Sequence, residues 1–330
     1  RDPAQVPRCP GTAPVVDDPV AQQQGFQALA RAALLTYRIL TGAHHVAELG
    51  ALLDLSFDEN VAAVDLIGGE LTVAFESADG GLIVGSRAAL AIDSGVSRMH
   101  GERLLAQWRA KTERPIEALL ITQPIQEFLF GAAAFRAQGV PVLATRAAAQ
   151  LMQARCEHCL THLRELLPGG LMKGTELLAP SREIDPTQPI DLGNRRLDLI
   201  DAGRATTPGT VAVFDRGSGT LFAGGLIASQ RIPSLRDARI AEWIAALDAL
   251  RKLPIRQIVP GFGPVGGLKQ IDDMQRYLRQ IDAAVRAEYQ RGSSLLEASA
   301  KVQLPEFAGW QQYAVLHPQN VQYLYRQLEE

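Results

Sequence analysis

At 330 residues, 47% of them hydrophobic and 21% charged, the chain has enough apolar side chains for one large domain or two small ones. A net charge of −3 gives no basic footprint for nucleic acid, and no apolar run reaches membrane-spanning length. Three cysteines, Cys9, Cys156 and Cys159, are an odd number and make no disulfide scaffold.

The chain opens at Arg1, a start that a removed signal peptide or a trimmed end would each give. Residues 1–20, rich in Pro and Asp, read as an extended arm. Residues 21–40 have helical spacing of Phe26, Leu29, Ala33, Leu34 and Tyr37, with Gly42 placed to end the helix. Short apolar runs at 71–75, 82–84 and 88–92 predict strands of one sheet, and Gly95 hands over to a helix over 97–111. Residues 116–122 predict a buried strand, 131–138 a helix stopped by Gly139, and 140–144 the start of a further strand. The loop of that strand–loop–helix unit, at a strand's carboxyl end, is where chemistry usually sits. A helical stretch over 147–167 carries Cys156, His158, Cys159 and His162. Strands follow at 197–200, 211–214 and 220–222, with 215–219 as a hairpin turn. Residues 239–253 predict a helix with Trp243, Ile244, Leu247 and Leu250 on one face. From 268 to 330 the pattern is helical, interrupted at Gly292 and Pro305, and His317 with Pro318 reads as the boundary between two helical segments.

Five motifs stand in one order along the chain. Residues 91–95 read Ala-Ile-Asp-Ser-Gly, and 122–131 read Thr-Gln-Pro-Ile-Gln-Glu-Phe-Leu-Phe-Gly. Residues 205–209 read Ala-Thr-Thr-Pro-Gly, 221–226 Leu-Phe-Ala-Gly-Gly-Leu, and 259–264 Val-Pro-Gly-Phe-Gly-Pro. Together they resemble the framing motifs of the metallo-β-lactamase fold hydrolases, over residues 61–267. That resemblance implies a four-layer αββα sandwich. It also implies that Gln123, Ile125 and Phe128 stand where three histidine ligands would be, and Glu127 where an aspartate would be. Thr206 and Phe262 stand in two further histidine places, and Gly225 replaces the aspartate that bridges two metals. Asp93 matches an aspartate that orients a metal-bound histidine; with the histidine absent, it is expected to cap a turn or the following helix. Segments 160–180, 231–237 and 317–326 are similar to quinoprotein relay system zinc metallohydrolases and their relatives in sulfur-oxidation operons. Those proteins are found in the periplasm beside quinoprotein dehydrogenases and c-type cytochromes.

A hydrolytic zinc needs about three imidazole or carboxylate ligands and an open position. Ile125, Phe128, Gly225 and Phe262 offer none, Gln123 and Thr206 are weak neutral donors, and Glu127 alone is anionic. Phe128 and Phe262 could fill the vacated volume and turn the site into core, which is the preferred reading. In the rival reading a cleft remains, and Gln123, Gln126, Glu127, Thr206 and Thr207 bind a polar ligand. A metal-free enzyme with Glu127 as general base is a third, without a visible nucleophile. Cys156 and Cys159 read as a local disulfide or two packed thiols, with metal binding alongside His158 or His162 as the alternative.

The expected organisation is an arm and helix over 1–45, the metallo-β-lactamase-like domain over 46–267, and a helical extension over 268–330. The expected function is binding rather than catalysis, in a periplasmic redox or quinoprotein setting, with no cofactor. The alternatives are a hydrolase with a rebuilt metal-free or differently metallated site, and a structural or dimerisation subunit. Trp310, Tyr313, Tyr323 and Tyr325 make the tail a candidate surface for self-association or a periplasmic partner, or else pack it onto the domain.

Overall fold

A computed structural model describes residues 61–67, 70–75, 80–166 and 170–329. The arm and helix expected over residues 1–45 lie outside the described residues. The strands are β1 (Val61–Ile67), β2 (Glu70–Phe75), β3 (Gly81–Val84), β4 (Ala89–Ile92), β5 (Ile116–Leu120), β6 (Val142–Thr145) and β7 (Arg182–Ile184) in one sheet. Their spatial order is their chain order, antiparallel from β1 to β4 and parallel from β4 to β7.

Parallel neighbours cannot be joined by hairpins, so helices make the crossovers. Helix α1 (Arg98–Arg109) joins β4 to β5, while α2 (Gln126–Leu129) and α3 (Ala132–Arg136) join β5 to β6. Helix α4 (Arg146–Leu151), a π-turn (Met152–Cys156) and α5 (Glu157–Leu166) run without a break between β6 and β7. Helix α2 falls where the sequence predicts loop; four residues are too few to carry a periodicity.

The second sheet has the order β12–β11–β10–β9–β8, from β8 (Ile190–Asp191), β9 (Arg196–Asp201), β10 (Val211–Asp215), β11 (Thr220–Ala228) and β12 (Gln257–Phe262). Side chains alternate across a strand, and here each face has its own partner. Val211, Val213 and Phe222 point inward to meet Ile83, Leu90, Ile92, Leu120 and Leu143 of the first sheet. Ala212, Phe214, Leu221 and Ala223 point outward into a second cluster. Covered on both faces, β11 is buried along all nine residues, as a two-sided strand must be.

The outer cluster is built from α6 (Ile240–Leu250), α7 (Lys269–Gln290), α8 (Leu295–Lys301) and α9 (Tyr313–Glu329). Along α7, Ile271, Met274, Tyr277, Leu278, Ile281 and Val285 recur at helical spacing and face the sheet. Ser294 and Glu297 cap α8 reciprocally, each side chain taking the other's backbone N–H. The helices over β10–β12, the two sheets and the crossover helices of the first sheet make the αββα stack.

The tail departs from expectation at one point. Pro318 lies inside α9 and does not divide it. A proline there costs one helical hydrogen bond, and buried polar contacts on both sides of it offset that loss. His317 donates through Nε2 to the Val302 carbonyl (3.1 Å), while the Tyr277 hydroxyl donates to its Nδ1 (3.2 Å). Asn320 donates to the Tyr277 hydroxyl (3.0 Å) and the Pro233 carbonyl (2.8 Å), and accepts from Leu235 N–H (2.9 Å). Burial raises the Tyr277 phenol and lowers the His317 imidazole, so both stay neutral in this network. Of the two readings of the tail aromatics, the inward one fits: Tyr325 is buried, and Trp310, Tyr313 and Tyr323 are half-buried. Trp310 packs edge-on to Phe307 and Tyr313 stacks on His317. Packing onto the domain is the reading these rings support.

Candidate functional site

The five motifs fall at the carboxyl ends of β4 and β5, in the loop before β10, within β11 and at the end of β12. Asp93 follows β4 with a φ of 56°, a left-handed conformation that Asp and Asn tolerate better than most residues. Its N–H bonds the Leu120 carbonyl (2.9 Å) and its carboxyl accepts from Thr122 N–H (2.8 Å) and pairs with the Thr122 hydroxyl (2.7 Å). The expected cap is thus corrected: Ser97 caps α1, and Asp93 clamps the end of β4 to the end of β5. The framing glycine is explained too. A Cβ on Gly131 would lie 1.7 Å from the Ser94 carbonyl oxygen, so no other residue fits under that turn.

Burial pushes the Asp93 carboxyl up to about 7 against the pull of the two Thr122 hydrogen bonds. Its ordinary value is 3.8, so folding favours the protonated form. The stabilisation is complete below about 3.8 and is lost as pH rises through about 7, a span worth roughly 4 kcal/mol. Asp93→Asn keeps an acceptor for Thr122 N–H and offers a donor to the Thr122 hydroxyl. It is expected to match the parent at pH 4, to exceed it at pH 8, and to remove this descent from the urea-midpoint profile. Parallel profiles for the two proteins would refute the assignment.

Gln123 is buried, and its amide fills the space in front of Gly225. Its Oε1 lies 1.5 Å from the point a Cβ on Gly225 would occupy. Glycine at 225 therefore leaves the room that glutamine at 123 fills, and Oε1 has no hydrogen-bond partner there. Phe128 is buried and stacks on half-buried Phe262, with ring centroids 5.4 Å apart and 28° between planes. A Cβ on Gly261 would come within 2.8 Å of the Phe128 ring, so that glycine makes room for it. Thr206 and Thr207 are buried and closed on Thr210, whose hydroxyl lies 2.7 Å and 3.2 Å from theirs. Ile125, Gln126 and Glu127 are half-buried at the rim.

Sequence reasoning did not single out Arg231 as a site residue. Its guanidinium sits 4.7 Å above the Phe262 ring. Burial lowers its pKa, and the charge of Glu127 opposes that shift. Beside it, Gln311 donates its N–H to the Gln230 carbonyl (2.8 Å) and accepts from Ile232 N–H (3.0 Å), which lays the tail along the mouth of the site. Gln230 and Gln312, on either side of this junction, both have positive φ (55° and 64°). The sequence signal was indirect: segment 231–237 resembles the family without carrying a known role.

The donor set does not fit a hydrolytic metal centre. At the positions the resemblance assigns to metal ligands stand an amide, two phenyl rings, a sec-butyl side chain, a hydroxyl already bonded and a glycine, with Glu127 the single carboxylate. The four side chains weighed as a separate metal site do not assemble either. Cys156 is buried, Cys159 and His162 are half-buried, and His158 is exposed. Among the described residues no three His, Cys, Asp or Glu side chains come together to hold an ion. The cysteines are free thiols. A shallow cleft of about 630 Å³ lies one strand further along, between the ends of β6 and β7 and the 201–209 loop. It is lined by Arg146, Glu183, Asp185, Asp201 and Arg204, and not by Gln123, Phe128 or Phe262.

No protein family's profile matches the chain, and no curated protein is significantly similar to it. Solved structures are similar in fold. A metallo-β-lactamase from Pontibacter korlensis aligns with a TM-score of 0.52 at 20% identity, over 66% of this chain and 92% of its own. A stereoselective inverting sec-alkylsulfatase from a Pseudomonas species aligns with a TM-score of 0.64 at 15% identity, over 89% of this chain. The chain spans about half of that sulfatase, 54% of its length. Two sheets between helices, in this order and with these neighbours, give the chain the metallo-β-lactamase fold.

Proposed function

We propose that this protein is a metallo-β-lactamase-fold protein that acts by binding and not by metal-dependent hydrolysis. The observation that carries the reading is the coordinated filling of the former metal site: Gln123 into the space before Gly225, and Phe128 against Phe262 beneath Arg231. A hydrolytic centre needs donors and an open coordination position. Here the donor places are taken by groups that pack, and the remaining hydroxyls are bonded to one another. The similarity of segments 160–180, 231–237 and 317–326 to periplasmic relatives supports placing that role beside a quinoprotein or cytochrome system. A partner engaging the carboxy-terminal helices would meet the corner of α7 and α8, where Tyr289 and Leu296 are exposed.

Elemental analysis of the purified, dialysed protein tests the chemistry. The expected result is far less than one zinc, iron or manganese per chain, unchanged after incubation with excess zinc and renewed dialysis. About one tightly held metal per chain that persists when Cys156 and Cys159 are both changed to serine would overturn the reading.

A further inference from the structure

The cysteine pair sits against the site without belonging to it. Cys156 closes the π-turn, and its Sγ lies 3.9 Å from the Pro124 carbonyl, in the loop between Gln123 and Ile125. One residue earlier, Arg155 pairs with Asp237 at 2.5 Å, so the same turn also holds the 231–237 segment that carries Arg231. Three residues on, along unbroken helix, Cys159 is half-buried and reaches solvent. Residues three apart on a helix are neighbours on one face, with Cβ atoms about 5–6 Å apart. A disulfide needs roughly 3.5–4.5 Å, so joining the two requires a local tightening of the helix. A π-turn is where such an adjustment is easiest, because its hydrogen bonds are already out of α-helical step.

We propose that Cys156 and Cys159 form a reversible dithiol–disulfide site whose state is transmitted to the loop bearing Gln123 and Phe128. Solvent-reaching Cys159 is the first to react. Its thiolate attacks a low-molecular-weight disulfide, expelling one thiolate and leaving a mixed disulfide on Cys159. Cys156 then loses its proton and attacks the Cys159 sulfur, expelling the second thiolate. The two protein thiols are oxidised by two electrons, and the small disulfide is reduced to two thiols that carry the two protons. Burial, reinforced by the neighbouring Cys159, pushes the Cys156 thiol up to about 11, which suits it to the second step and not the first. Once joined, Cys156 has no S–H to offer the Pro124 carbonyl, and the loop loses that contact. Because closure tightens the helix, the bond is strained and glutathione can reduce it, unlike a structural disulfide.

The test uses the full chain carrying Cys9→Ser, so that only this pair reacts. After equilibration with oxidised glutathione, free thiols are blocked with iodoacetamide and the protein is cut with trypsin. Cleavage after Arg155 and Arg164 releases residues 156–164, which contain both cysteines. The expected peptide is unalkylated and two hydrogens lighter, and it returns to the doubly alkylated form after reduced glutathione. Amide exchange over residues 122–128 is expected to quicken in the oxidised protein. A doubly alkylated peptide under both conditions, or one that stops as a glutathione adduct on Cys159, would overturn the site. Exchange over 122–128 that does not change on oxidation would overturn the coupling to the loop.

Discussion

A chain ended at Leu304 is expected not to fold cooperatively at room temperature. The removed segment places Phe307, Val321, Leu324 and Tyr325 in the cluster that covers the outer face of β10–β12. Each large apolar side chain taken out of water contributes about 1.5–3 kcal/mol, so four of them rival the roughly 5–15 kcal/mol by which a domain is stable. The polar losses add to this. Without His317 and Asn320, the Tyr277 hydroxyl, the Val302 and Pro233 carbonyls and Leu235 N–H lose their partners. The Ser293 carbonyl also loses the Tyr325 hydroxyl at 2.6 Å. Buried polar groups left unsatisfied cost about 1–3 kcal/mol each where water cannot replace the partner. Circular dichroism during heating checks this: a broad, non-sigmoidal loss of signal is expected. A sigmoidal melt within a few degrees of the full chain would show the tail to be an appendage. The same result decides how partner binding should be probed, since trimming the tail removes core along with any surface.

Residues whose meaning is local were legible in the sequence. Gly95, Gly209 and Gly263 adopt positive φ, and glycine in such places punctuates a sequence whatever its tertiary surroundings. The short apolar run at 211–214 gave a strand, and the helical pattern from 268 gave the helix over 269–290. That Gln123, Phe128, Thr206, Gly225 and Phe262 offer a metal few or no donor atoms was visible for the same reason. How these residues pack was not visible, because it depends on side-chain direction between residues far apart in the chain. Gln123 meets Gly225, and Arg231 covers Phe262, only once β5 of one sheet is set against β11 and β12 of the other. Asp93 was misread as a cap because a helix does begin nearby. The strand-end amide and hydroxyl of Thr122, 29 positions away, are its actual partners. Pro318 was misread because the rule against proline in helices is a local cost, and buried partners on His317 and Asn320 outweigh it.

Arg195→Met is expected to cost about 3–5 kcal/mol, the range for removing one member of a buried ion pair. Arg195 and Asp215 are almost fully enclosed, with side-chain exposures of 3% and 0%, and Nη1 stands 2.5 Å from Oδ2. Asp215 also accepts from the Ser218 hydroxyl (2.6 Å) and Gly217 N–H (3.0 Å), so the same carboxylate holds the β10–β11 turn. Arg195 lies just before β9, in the hairpin joining β8 to β9. The pair therefore fastens two hairpins at the start of β11. The middle of β11 supplies Gly224 and Gly225 to the site, so a slip at the turn would carry the space for Gln123 out of place. Methionine matches the aliphatic stem of arginine but leaves a carboxylate buried without its counter-charge. Changing Asp215→Asn in the same chain removes that charge, keeps an acceptor for Gly217 N–H and still offers a polar group to Ser218. The double variant is expected to recover a substantial part of the loss seen in Arg195→Met alone. Urea unfolding of the parent, the single variant and the double variant decides the matter. A single variant that loses less than about 1 kcal/mol, or a double variant less stable than the single, would show that charge compensation is not what holds these hairpins together.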